Sequence, residues 1–166
     1  MKRALTITAA LAAATLGGQA AAQQAYGNVG GVVNEGFDEF GVQARLGYDL
    51  PDQAVAIGFE GEVAYFNVDV LGQDFDVLNL AGFAKVGTPV TPSVSLFARA
   101  GYGLTEVLDT PDGVDGSESD FAYGVGAEFA VAPRSGVRVD YTRYEAVDEG
   151  FLSLNYVFRF GGAQPR

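Results

Sequence analysis

Residues 152–160 read LSLNYVFRF, and this stretch decides the fold because its side chains alternate between two kinds. Leucine and aromatic residues occupy every even position, whereas Ser153, Asn155 and Arg159 occupy odd positions together with Val157. Alternation with a period of two is the pattern of a β-strand whose two faces meet different surroundings. The stretch therefore predicts a strand with one apolar and one largely polar face.

The same alternation recurs along the chain and predicts an all-β protein of eight strands. The predicted segments lie near 26–33, 40–49, 55–66, 76–87, 94–106, 119–131, 137–145 and 151–160. No segment keeps the 3.6-residue period of an amphipathic helix. Since proline cannot donate a backbone hydrogen bond to a strand ladder, we expect all six prolines to lie between or beyond these segments.

The N-terminal residues have the composition of a secretory leader. A basic start at Lys2 and Arg3 precedes an uncharged stretch, and Ala20 and Ala22 form an A-x-A cleavage pattern before Gln23. The uncharged stretch is short and rich in Ala and Thr, which disfavours a retained membrane helix. We therefore predict a signal peptide over residues 1–22 and an exported domain over residues 23–166.

Composition excludes several functional classes. The 166-residue chain has a formal net charge of −11 and contains neither Cys nor His. It therefore lacks thiol nucleophiles, Cys-ligated metals and the usual general base. Because a chain this acidic has no basic patch to neutralise phosphates, we predict no nucleic-acid partner.

The connections between the predicted strands are of two kinds. Those after the second, fourth and sixth segments are short, whereas those after the first, third, fifth and seventh carry most of the acidic residues and no Lys or Arg. Short turns at one end and longer polar loops at the other are typical of an outer-membrane β-barrel. An even number of strands then predicts that both chain ends lie on the short-turn side, the periplasm.

Alternation alone leaves open which face points inward. A soluble lipocalin-like barrel would enclose its apolar face, whereas a membrane barrel turns that face towards lipid. The polar face is rich in Gly and Ala, which suits the narrow interior of an eight-stranded barrel and favours the membrane. Aromatic residues near segment ends on the apolar face fit the interfacial girdles of membrane barrels. They are Tyr48, Tyr65, Tyr102, Phe121, Tyr141, Phe158 and Phe160.

Four stretches, together with the leader, resemble a known family. They are residues 40–48 (FGVQARLGY), 95–103 (SLFARAGYG), 136–141 (GVRVDY) and 154–160 (LNYVFRF). The exported domain is similar to the small outer-membrane β-barrels of Gram-negative bacteria, such as the transmembrane domain of outer-membrane protein A and the opacity-type surface antigens. The resemblance implies an eight-stranded antiparallel up-and-down barrel that is folded by the barrel-assembly machinery and surrounded by outer-membrane lipids and lipopolysaccharide. We expect a monomer.

The sequence gives little support to chemistry at the loops. Eight-stranded outer-membrane enzymes use a Ser activated by His, and this chain has no His. The acidic stretch with Asp109, Asp112, Asp115 and Glu118 does not have the spacing of a calcium loop. We therefore predict no enzyme activity, no cofactor and no metal, and we interpret these four residues as candidate contacts of a solvated surface loop.

Two functional classes fit this pattern. A structural barrel would stabilise the outer membrane and conduct little, whereas a surface-recognition barrel would bind a host molecule, a phage or a neighbouring protein through its loops. A small diffusion pore is a third class. The loops are short and lack the aromatic and Arg anchors of binding hot spots, which favours the structural class.

The face predicted to point inward carries nearly balanced charges. They are Arg45, Lys85, Arg99, Arg138 and Arg159 against Glu60, Glu62, Glu128 and Asp140. Turn positions give an approximate register that predicts two clusters, Arg45–Glu60–Lys85 and Arg99–Glu128–Arg138. A narrow interior desolvates its charges, so we expect them to pair and to block flow. The alternative is a water-filled passage lined by unpaired charges.

Overall fold

Eight β-strands close into one antiparallel barrel, in which each strand pairs with its neighbours in chain order and the first pairs with the last. The computed structural model describes residues 25–36, 39–50, 55–70, 73–107, 117–145 and 148–160. The strands are β1 (Ala25–Asn34), β2 (Phe40–Asp49), β3 (Ala56–Val70), β4 (Gln73–Thr91), β5 (Val94–Val107), β6 (Ser117–Ala132), β7 (Ser135–Tyr144) and β8 (Glu149–Arg159). The predicted all-β up-and-down barrel is confirmed, while the predicted signal peptide lies outside the described residues.

The hairpin of β3 and β4 is longer than predicted. The predicted segments left residues 67–75 as a connection, but β3 continues to Val70 and β4 begins at Gln73. The β3–β4 ladder continues from Val68 opposite Phe75 to Val70 opposite Gln73. The expectation of a loop here was wrong.

Pro89 lies inside β4, against the expectation that prolines lie between strands. The β4–β5 ladder shifts its register between Pro89 and Thr91. Such an irregularity tolerates a residue without a backbone N–H. The turn between β4 and β5 is consequently shorter than predicted.

One face of each strand points into the barrel and the other points outward. Large apolar side chains such as Phe59, Leu80 and Val125 are exposed on the outside, whereas Arg45 and Glu60 are buried. An outer surface this apolar is unlike that of a soluble protein and fits contact with lipid. The arrangement rules out the lipocalin-like alternative, which places its apolar face inside.

Among the described residues, no helix is both long and apolar enough to cross a membrane.

Candidate functional site

The barrel interior holds all nine charged residues that the sequence placed on the inward face. Eight of them are buried: Arg45, Glu60, Glu62, Lys85, Arg99, Glu128, Arg138 and Asp140. Arg159 lies near the short-turn end and remains partly accessible. The interior is therefore the candidate functional site.

Two arginines and two carboxylates form what we call the central quartet: Arg45, Glu62, Arg99 and Asp140. Arg45 Nε donates to Glu62 Oε2 over 2.6 Å, and its Nη1 donates to Asp140 Oδ2 over 2.8 Å. Arg99 bridges the same two acids, at 2.9 Å to Glu62 Oε2 and 3.0 Å to Asp140 Oδ1. Each carboxylate thus meets two guanidinium groups, which compensates its charge away from water.

A second set of charges lies towards the short-turn end, and we call it the basal group: Tyr26, Asp49, Glu60, Lys85, Glu128, Arg138 and Arg159. Arg138 donates to both Glu60 and Glu128. Arg159 also donates to Glu128. These contacts place two cations on Glu128 and join four strands, β3, β6, β7 and β8.

Within the basal group, Lys85 on β4 contacts one residue of β1 and one of β2. Its Nζ donates to the Tyr26 hydroxyl over 2.6 Å and lies 2.8 Å from Asp49 Oδ1. The Tyr26 hydroxyl in turn donates to Glu60 Oε1 over 2.6 Å. Since Arg99 Nη1 lies 3.5 Å from Glu60 Oε2, the basal group and the central quartet form one continuous network.

The two predicted clusters were partly wrong, because the approximate register was inaccurate. Arg45 pairs across the ladder with Glu62 and not with Glu60, which faces Gly47. The predicted contact of Arg99 with Glu128 is absent from the described interactions, since Arg99 faces Gly124 in the β5–β6 ladder. The Arg138–Glu128 and Lys85–Glu60 pairings are present, the latter at 3.9 Å.

Aromatic rings cover the network on the loop side. We call Phe66, Tyr144 and Phe151 the aromatic lid. The rings of Phe66 and Phe151 lie 5.2 Å apart, and those of Tyr144 and Phe151 lie 5.7 Å apart. The Tyr144 hydroxyl donates to Asn79 Oδ1 over 3.1 Å and lies 3.4 Å from Glu62 Oε1. The lid therefore rests directly on the central quartet.

Tyr26 is fully buried within the basal group and rests on a glycine of the next strand. Its ring lies beneath Lys85 Nζ, which is 4.2 Å from the ring centroid, in a cation–π contact. A Cβ atom at Gly47 would lie 2.6 Å from Tyr26 Cε2. Only glycine allows the Tyr26 ring to approach the backbone of β2 this closely, so the position of Tyr26 in the basal group depends on Gly47.

We expect Gly47→Ala to lower the free energy of unfolding by about 1–3 kcal/mol, because the added methyl group displaces the Tyr26 ring from a filled interior. Gly61→Ala is the matched control, since a Cβ there meets no atom within 4 Å. Urea unfolding of both variants refolded in detergent micelles checks the prediction. Equal stability of the two variants would show that Tyr26 does not depend on Gly47.

Comparison with known proteins identifies the family. A family model described as "Outer membrane protein beta-barrel domain" matches residues 4–160. The chain belongs to this family. It is a small eight-stranded outer-membrane β-barrel, and its location is the outer membrane.

Several solved structures of outer-membrane proteins share the fold of this outer-membrane barrel. The outer membrane protein Ail of Yersinia pestis has a TM-score of 0.58 and 18% identity, over 83% of this chain and 99% of that chain. The N-terminal β-barrel domain of Pseudomonas aeruginosa OprF has a TM-score of 0.55 and 14% identity, over 83% of this chain and 98% of that domain. The outer membrane enzyme PagL has a TM-score of 0.53 and 16% identity, over 82% of this chain and 99% of that chain. No curated protein matches the chain.

The seven aromatic residues predicted at the lipid interface lie on the outward face of the barrel. Tyr65, Tyr102, Phe121 and Phe160 are exposed there. Tyr48, Tyr141 and Phe158 are half-buried. Tyr141 packs its ring on Gly150 of β8, and its hydroxyl donates to Glu35 Oε2 over 2.9 Å. Phe158 is covered because its ring packs on Gly27 of β1.

The acidic loop residues are only partly described. Asp109, Asp112 and Asp115 lie outside the described residues, and Glu118 belongs to β6. Within the described ranges, no group of three acidic side chains is placed to hold a metal ion.

Sequence reasoning missed Tyr26, Asp49 and the aromatic lid. Tyr26 lies in the Gly-rich β1, whose alternation is weak, and Asp49 ends β2 beside a turn. Phe66 and Phe151 share the inward parity of Ala64 and Ser153 on their own strands. That parity is the signal that identifies them as interior residues.

Proposed function

We propose that this protein is a structural outer-membrane barrel that stabilises the membrane and conducts few ions. The observation that carries the proposal is the continuous ion-pair network of the basal group and the central quartet beneath the aromatic lid. Its charges are engaged with one another, so a passing ion would have to break several buried pairs. The absence of His from the sequence supports a role without enzyme activity or cofactor.

We expect a low conductance for the unaltered protein in planar lipid bilayers, and a higher one for the double variant Glu60→Ala, Glu128→Ala. The two substitutions remove the acids that hold Arg138 across the basal group. Glu106→Ala, which alters an exposed acid near the loop end of β5, is the control and should leave the conductance unchanged. A large, steady conductance that the double variant does not alter would identify a pore instead.

Surface recognition is the second candidate function, and the β3–β4 hairpin favours it. The β2–β3 ladder ends at Asn67 and the β4–β5 ladder begins at Val77, whereas β3 and β4 pair as far as Val70 and Gln73. The β3–β4 hairpin therefore extends beyond the end of β2. Replacing residues 68–75 with a two-residue turn should abolish binding to a partner at this tip, and unchanged binding to cells or matrix would leave only the structural role.

We also propose the surroundings and the orientation of the barrel in the membrane. The barrel lies as a monomer among outer-membrane lipids and lipopolysaccharide, after folding by the barrel-assembly machinery. Its even strand number supports periplasmic positions for both termini and surface positions for the acidic loops.

We expect an epitope tag after Arg166 to be hidden from antibody on intact cells, and a tag inserted after Pro111 to be accessible. The C-terminal tag follows β8 on the short-turn side, whereas the insertion after Pro111 lies between β5 and β6 on the side of the acidic loops. Permeabilised cells are the control, because both tags should then bind antibody equally. Surface labelling of the C-terminal tag would reverse the proposed orientation.

A further inference from the structure

Side chains hold β1 at its two ends. Towards the short-turn end, the Tyr26 hydroxyl donates to Glu60 Oε1 and accepts from Lys85 Nζ, each over 2.6 Å. At the loop end, Asn34 Nδ2 donates to Glu149 Oε1 over 3.0 Å. Both ends of the strand are therefore fixed by side chains of other strands.

The centre of β1, residues 27–31, reads GNVGG and has no comparable anchor among the described residues. Its three glycines contribute no side chain to cross-strand pairs, and glycine loses the most backbone entropy in a strand. Val29 points outward. Asn28 is fully buried, yet neither its Nδ2 nor its Oδ1 has a hydrogen-bond partner in the described barrel. A buried amide without a partner destabilises the segment that holds it.

The strands on either side of β1 are bonded to each other across this centre. Gln43 Nε2 of β2 donates to Asn155 Oδ1 of β8 over 2.9 Å, and both residues lie opposite Gly30. Arg45 Nη2 of β2 donates to Ser153 Oγ of β8 over 3.4 Å. These bonds pass over the inner side of β1, so a displacement of its centre leaves β2 and β8 linked.

We propose that residues 27–31 open locally as one segment, while the ends of β1 and the rest of the barrel stay folded. Opening gives the Asn28 amide hydrogen-bond partners that the closed barrel denies it. Arg45 faces Asn28 and Gln43 faces Gly30, so freed backbone groups meet polar side chains on the inner side and not hydrocarbon alone. Local opening of this kind starts where a structure has the fewest stabilising contacts.

Amide hydrogen exchange, followed by NMR on the folded barrel in detergent micelles, tests the proposal. The comparison segment is the centre of β7, residues 137–141, in which Arg138 and Asp140 are held in buried ion pairs. We expect the amides of residues 27–31 to exchange about tenfold faster, because of the unpaired amide and the three glycines. Equal rates in the two segments would overturn the proposal.

Two variants supply what the centre of β1 lacks. Gly31→Val adds an outward side chain for cross-strand contacts, and a Cβ there lies 3.9 Å from Gly41 O, its nearest neighbour beyond the adjacent residues. This variant should slow the exchange of residues 27–31 about threefold. Gly61→Val is the matched control, since its Cβ meets no atom within 4 Å, and it should leave that exchange unchanged.

Asn28→Leu replaces the unpaired amide with an apolar group of similar shape and should slow the exchange about tenfold. Asn155→Leu is the same change at an amide that is bonded to Gln43, so it should speed the exchange instead. Should Asn28→Leu fail to fold, Gly31→Val decides the question. Exchange that neither variant slows would overturn the proposal, and so would one common rate in all eight strands, because the barrel would then open only as a whole.

Discussion

Replacing Arg138 with Met should lower the free energy of unfolding by about 3–5 kcal/mol, because it removes one partner from buried ion pairs. The Arg138 side chain is fully buried and donates to both Glu60 and Glu128. Its guanidinium carbon also lies 4.7 Å from the centroid of the Phe97 ring. Met keeps much of the length of the side chain but removes the charge, so two buried carboxylates lose a shared partner.

Arg134→Met is the matched control for this prediction. Arg134 lies exposed in the turn between β6 and β7, so the same substitution there should change stability little. Urea unfolding of the refolded proteins, followed by far-UV circular dichroism, measures both effects. Similar small losses in the two variants would mean that the basal group is hydrated and contributes little to stability.

A double-mutant cycle separates the Arg138–Glu128 pairing from the rest of the network. If the pair interacts as the structure shows, Glu128→Gln should cost less in the Arg138→Met background than in the unaltered protein. Arg159 still contacts Glu128 in both backgrounds, so the coupling should be partial. Additive losses would mean that Arg138 stabilises the fold only through its contacts with Glu60 and Phe97, and not through Glu128.

The sequence was sufficient to predict the strand count and the side of the sheet on which each charge lies. Parity does not depend on register, so alternation placed Arg45, Glu60 and Glu128 on the polar face, and the Gly and Ala content of that face predicted that it points inward. Partner choice does depend on register. The turn positions predicted Glu60 as a diagonal partner of Arg45, whereas the β2–β3 ladder sets Glu62 directly opposite Arg45.

Three-dimensional closure explains what the sequence could not predict. Asp140 on β7 meets Arg45 on β2 and Arg99 on β5 because a closed barrel brings distant strands together across a narrow interior. No pairing of adjacent strands contains these contacts. The same closure places Tyr26 beneath Lys85, although β1 and β4 are not neighbours in the sheet.

Replacing Val125 with Arg should lower the free energy of unfolding by about 2–4 kcal/mol, because it puts a charge on the lipid face near the bilayer midplane. Val131→Arg is the matched control on the same strand and the same face. The two valines are 61% and 59% exposed, so they differ mainly in depth, and the cost at Val131 should fall to about 0–1 kcal/mol near the interface. Unfolding in phospholipid vesicles measures the difference. Equal costs at both positions would mean that depth in the bilayer does not distinguish them, and the outward apolar band would then not span the membrane core.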